Sequence, residues 1–149
     1  MTRAARRPET ATPVDKPDGR VPIGQAVRQT GISAKMIRHY EALGLLGDVR
    51  RTEAGYRQYD SRDIHTLRFI RRCRDLGFPI PDIAALLALW QDRERASAEV
   101  RRIARQHLAS LEARIAALQA MKQPLAQLVA CCHGDQRPDC PILDDLGSQ

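Results

Sequence analysis

The chain has 149 residues, enough for one domain or for a small domain with an extension. With 43% hydrophobic but only 4% aromatic residues, its core must be aliphatic, built from Leu, Ile and Ala, a palette that favours helices. A net charge of +6 and a pI near 9.6 suit an acidic partner, most simply nucleic acid, and no apolar run approaches the roughly 20 residues that span a bilayer.

The basic surplus is local. Residues 20–75 carry twelve basic side chains against six acidic ones, whereas the tail 130–149 carries one against four. A solvated Arg-rich surface accounts for such a surplus as well as nucleic-acid binding does, so charge alone does not decide. Residues 1–20 lack the apolar stretch of a secretory signal, and Glu9, Asp15 and Asp18 count against a transit peptide. Their Pro, Thr and Arg content reads as a disordered leader. A cytoplasmic location is then expected, where thiols stay reduced and clustered cysteines bind metal or do redox chemistry.

From Val21 the pattern turns helical. "IGQAVRQTG" puts Ile23, Ala26 and Val27 on one face and ends at Gly31. Ser33 can cap a second helix, with Met36, Ile37, Tyr40 and Leu43 at helical spacing, and Gly44 stops it. Two short helices about a tight turn form a helix-turn-helix pattern, a corner that many small helical proteins share. "DVRRTEAGYRQYD" reads as a small hairpin or loop, a wing carrying Arg50, Arg51, Tyr56, Arg57 and Tyr59. Arginine forks and tyrosine hydroxyls suit a phosphate backbone; the plainer alternative is a polar loop.

A third helix follows in "SRDIHTLRFIRRCRDLGF", capped by Ser61, with Ile64, Leu67, Ile70 and Phe69 apolar, and Cys73 as a small buried hydrophobe. In "PIPDIAALLALWQD", Pro81 suits the first position of a fourth helix, with Ile83, Leu86, Leu87 and Trp90 inward. Arg95 to Leu128 then forms one long helical pattern. Ala104, Leu108, Leu111, Ile115 and Leu118 make a heptad seam, after which the apolar face shifts to Met121, Leu125 and Leu128. That seam needs cover, from a second copy or from the chain's own core. Pro124 predicts a kink or break, and His65 and His107 are expected on helix surfaces.

The stretch "ACCHGDQRPDCPI" holds three of the four cysteines. A thiol-based redox protein would use the vicinal Cys131 and Cys132, but no C-x-x-C motif or strand framework accompanies them. A structural zinc site would need a fourth ligand.

The order helix-turn-helix, wing, two helices, long helix and cysteine-bearing tail resembles the MerR family of transcription regulators, over about residues 22–146. The carriers are "IGQAVRQTGISAKMIRHYEALGLL", "RRTEAGYRQYD" and "LRFIRRCRDLGFPIPDIAALL". The resemblance implies a mainly α fold: a winged helix-turn-helix DNA-binding domain (21–92), a dimerisation helix pairing as an antiparallel coiled coil (93–129), and a short metal-binding loop and tail (130–149). It implies a homodimer on double-stranded promoter DNA whose two polymerase elements are too far apart. Effector binding would bend and untwist that DNA, so that RNA polymerase engages both elements. Carried over residue by residue, it places Ser33, Lys35, Arg38, His39 and Tyr40 on or at the start of the recognition helix, with Tyr40 partly in the core. It places Arg51, Tyr56 and Arg57 in the wing as DNA contacts. His39 stands where the family more often has Phe or Tyr.

Within the family the tail decides the effector. The small-molecule sensors carry a large C-terminal domain for which no residues remain here, and the iron–sulfur type needs four tail cysteines. "CHGDQRPDCPIL" looks like the copper-efflux branch, so Cys132 and Cys140 are the implied ligands of Cu(I), or of Ag(I) or Au(I). Soft thiolates suit monovalent copper. Ser97 stands where divalent-metal sensors carry a cysteine, which weakens a zinc, lead, cadmium or mercury reading. It does not remove that reading, because His133 and Asp135 are near. Cys131 and His133 are accessory positions, and Cys131 paired with Cys140 resembles the mercury-type loop.

Overall fold

The computed structural model describes residues 19–92, 94, 97–132, 134 and 139–148. The expected leader falls almost wholly outside these residues, as do His133 and Asp135. The chain divides into two compact units, Met1–Ala88 and Leu89–Gln149.

In the first unit, helix α1 (Ile23–Thr30) buries Ala26 and Thr30. It ends at Gly31, whose φ of 68° lets its N–H turn back to the Val27 carbonyl at 2.7 Å. The last carbonyls of α1 find donors on helix α3 (Ser61–Asp75): Arg71 Nη1 donates to Thr30 O at 2.6 Å, and Arg68 donates to Gln29 O at 3.4 Å. A Cβ at Gly31 would collide with that Arg71 guanidinium, so glycine serves both the turn and the close approach.

Helix α2 (Ala34–Ala42) starts as expected, with Ser33 Oγ accepting the Met36 N–H at 3.3 Å. Ile37 and Tyr40 face the core. Leu43 does not; it is 47% exposed, because the helix ends at Ala42 and the turn through Gly44 brings Leu45 and Leu46 inward instead.

The wing is a real hairpin of β2 (Arg50–Arg51) and β3 (Arg57–Tyr59), and it is extended by a strand the sequence did not announce. Strand β1 (Val21–Pro22) pairs antiparallel with β3, giving the order β1-β3-β2 with Val21 opposite Tyr59. A two-residue strand is too short to show periodicity.

Helix α3 is capped by Asp60 rather than Ser61. Asp60 Oδ1 accepts from the Arg62 and Asp63 N–H groups, and Asp63 Oδ2 accepts the Asp60 N–H at 3.0 Å, a reciprocal capping box. Its Ile64, Leu67, Ile70 and Cys73 are buried. Pro81 is the second rather than the first residue of helix α4 (Ile80–Gln91); Ile83, Leu86 and Leu87 are buried and Trp90 is half-buried. Ile37, Leu67, Ile70 and Ile83 are fully buried, each contributing roughly 1.5–3 kcal/mol.

In the second unit, helix α5 (Ser97–Cys131) runs 35 residues and passes Pro124 without a break. The backbone bond that proline cannot donate would fall on the Ala120 carbonyl, at a position exposed to solvent. His107, expected on the surface, is buried together with Ile103 one turn earlier. The seam residues Leu108, Ile115 and Leu118 are exposed along the chain, as are Met121 and Leu125 on the face that follows them. A further helix, α6 (Pro141–Gly147), packs on α5 within what was expected to be loop and tail. Among the described residues, no helix is long and apolar enough to cross a membrane.

Candidate DNA-binding surface and metal loop

All eight residues expected to meet DNA lie in the first unit. Lys35, Arg38 and His39 are exposed on α2, at the i, i+3 and i+4 spacing of one helical face, opposite the buried Ile37 and Tyr40. Ser33 is exposed too, but its hydroxyl is engaged in capping α2. Tyr40 shares this helix and yet belongs mainly to the core, at 4% exposure. Its ring lies 6.1 Å from that of His39, with the planes tilted by 48°.

The wing tip is held by its own backbone. Thr52 and Tyr56 exchange hydrogen bonds, the Gly55 N–H donates to Thr52 O at 2.8 Å, and Gly55 adopts a φ of 85°. Arg51 Nη1 donates to Gly55 O at 3.3 Å. This leaves Tyr56 projecting at 72% exposure. Tyr59, three residues on at the end of β3, is fully buried. Burial raises its phenol pKa above the ordinary value, and the Glu41 carboxylate raises it further. Arg57 lies on the inward side as well: its Nε donates to Glu41 Oε2 at 2.7 Å, an ion pair between the wing and α2 that the sequence did not signal.

In the second unit the thiols sit at helix ends. Cys131 is the last residue of α5 and is exposed. Cys132 extends the final turn, its N–H donating to Leu128 O at 3.1 Å and Val129 O at 3.2 Å, and it is half-buried. Cys140 caps the start of α6, also half-buried, and its carbonyl accepts the Asp144 N–H at 3.0 Å. Cys132 and Cys140 thus lie at the ends of two helices that pack together. All four cysteines are free thiols, and the described residues contain no cluster of three or more His, Cys, Asp or Glu able to hold a metal. Ser97 opens α5 beside a cleft of about 430 Å³ that it lines with Ala98, Arg101, Arg102 and Arg105.

Known proteins share this arrangement. A model of MerR HTH family regulatory proteins matches residues 21–90, and one described as MerR, DNA binding matches residues 64–128. A heavy metal-dependent transcription regulator of Rhizobium meliloti is 52% identical over 126 residues, covering 85% of this chain and 86% of that one. The chain belongs to the MerR family. It is a family of DNA-binding regulators rather than of enzymes. Among MerR relatives, the HTH-type transcriptional regulator CueR of Salmonella typhimurium is 36% identical over 124 residues, with 83% of this chain and 90% of that one covered. A crystal structure of a transcription regulator from Ralstonia metallidurans in complex with lead(II) superposes with a TM-score of 0.73 at 30% identity, over 85% of this chain and 98% of that one. The mainly helical MerR architecture, with helix-turn-helix, wing and long C-terminal helix, is thus the fold of this chain.

Proposed function

We propose that this MerR-family protein is a heavy-metal-responsive transcription regulator, in which Cys132 and Cys140 bind Cu(I), or Ag(I) or Au(I), as the inducing ion. Relatives named as heavy metal-dependent regulators support the broader reading. One observation carries the finer one. Two half-buried thiols sit at the ends of two helices that pack together, and a serine stands at position 97. Two thiolates are a sufficient set for a soft monovalent ion and a poor one for zinc, which prefers four ligands. Bound there, the ion supplies a soft link between the thiolates. The chain's own part is to hold Cys132 on the last turn of α5 and Cys140 at the cap of α6, so that an ion held by both would tie two helices that already pack together.

Residues 21–92 serve as the DNA-binding domain and 93–129 as the dimerisation helix, paired antiparallel with a second copy through the exposed seam of α5. Lys35, Arg38, His39, Arg51, Tyr56 and Arg57 contact promoter DNA as the dimer spans two half-sites. Loading the loop changes the dimer so that it bends and untwists the promoter, RNA polymerase engages both of its elements, and copper-efflux genes are activated.

A second reading is favoured by the lead(II) complex of the Ralstonia relative: a divalent sensor using Cys131 and His133 in addition. Anaerobic titration of the reduced protein separates the two. The copper reading expects about one Cu(I) per chain, retained against a strong competitor. Tight zinc or lead binding without Cu(I) preference would establish the other. Cys132→Ser and Cys140→Ser should each abolish metal-driven transcription and leave DNA binding nearly intact, whereas Cys131→Ser should respond as the parent does.

A further inference from the structure

Glu41 is out of place by charge. It sits in the last turn of α2, three residues after Arg38, on an element otherwise furnished for phosphate. Its ion-pair partner is not Arg38 but Arg57 of β3, sixteen residues away, with Nε 2.7 Å from Oε2. The two side chains are 30% and 21% exposed, so water screens the pair less than it would an open surface bridge. Glu41, Arg57 and Arg38 all act on the buried Tyr59 phenol, the carboxylate raising its pKa and the two guanidinium groups lowering it. One charged cluster therefore spans the seam between recognition helix and wing. The bond to Glu41 uses the Nε edge of Arg57. A guanidinium has five N–H donors, so the fork of its two terminal nitrogens is left over.

The geometry points to Glu41 as a positioning residue for DNA recognition. It grips Arg57 by Nε, so that the terminal fork is presented to a backbone phosphate and the wing is locked to α2. An arginine held in one conformation loses less freedom when the phosphate arrives, and two reading elements at fixed spacing meet the duplex without rearranging. The inference rests on the DNA-binding reading above.

The sign of the effect makes it testable. Glu41→Gln keeps the side-chain shape and removes a negative charge from a DNA-facing element. Simple electrostatics therefore predicts tighter binding. The positioning role predicts the opposite, about tenfold weaker binding, the equivalent of one lost charge-assisted contact. The probe is a duplex selected from a random-sequence library with the parent protein, whose own binding tests the DNA-binding reading separately. Each variant's circular-dichroism melt fixes a temperature at which all are folded. Glu41→Asp, which keeps the charge but shortens the reach, should also bind more weakly than the parent. Arg57→Gln should weaken binding and lower the slope of log affinity against log salt by about one, as expected for a lost phosphate contact. The double variant should bind no worse than Arg57→Gln alone, since Glu41 acts through Arg57. Glu41→Gln binding as tightly as the parent, additive losses in the double variant, or an unchanged salt slope in Arg57→Gln would each overturn the assignment.

Discussion

Tyr59 carries its hydroxyl into the core without a hydrogen-bond partner among the described residues. A buried unsatisfied hydroxyl costs about 1–3 kcal/mol of desolvation. Tyr59→Phe should therefore raise stability, by about 1 kcal/mol in urea unfolding at neutral pH; a loss would mean that the hydroxyl is satisfied in solution. The same burial sets an alkaline limit. Burial pushes the Cys73 thiol above its ordinary 9.0 and the Tyr59 phenol above its ordinary 10.0. The native state thus keeps two protons that the unfolded chain releases, so these groups favour folding fully below pH 9.0 and progressively less as pH rises from there through the raised native values. Tyr59→Phe should flatten the upper part of that decline in unfolding midpoint against pH. The position of Tyr59 was not legible in the sequence: Tyr56 lies outside β3, so strand alternation does not relate the two rings.

Among the elements, α5 is the one whose sequence and structure pull apart. Pro124 sits inside a 35-residue helix that nevertheless continues to Cys131. An interior proline costs about 3 kcal/mol relative to alanine, and the surrounding Met121 and Leu125 are exposed, so no burial within the single chain offsets it. Pro124→Ala should raise the thermal midpoint of the helical signal; an unchanged midpoint would show that the last turns of α5 unfold separately from the rest. Other elements were legible to different degrees. The start of α2 follows from Ser33 as cap, and the end of α1 from Gly31. The cap of α3 is Asp60 rather than the expected Ser61, because both are good caps and the reciprocal bond to Asp63 decides between them. Strand β1 exists only because β3 lies beside it.

At the scale of the molecule, the exposed stripe Leu108, Ile115, Leu118 and Leu125 keeps heptad spacing along α5. On the proposed dimer it is the surface that a second copy covers. Ile115→Glu would bury a charge in that seam and should shift the protein towards monomer in sedimentation, with DNA affinity falling as the half-sites lose their linkage. A variant that stays dimeric would place the contact elsewhere. What the sequence determined by itself was local or compositional: the amphipathic helices, their caps and glycine stops, the basic first half, and the thiols of the tail with serine at position 97. Only the tertiary structure decided which polar residues turn inward. His107 is buried, and Arg57 reaches back to Glu41 across sixteen residues of chain. The physical reason is that periodicity reports the face of one element, whereas a polar side chain's place depends on the donor or acceptor that a second element brings to it.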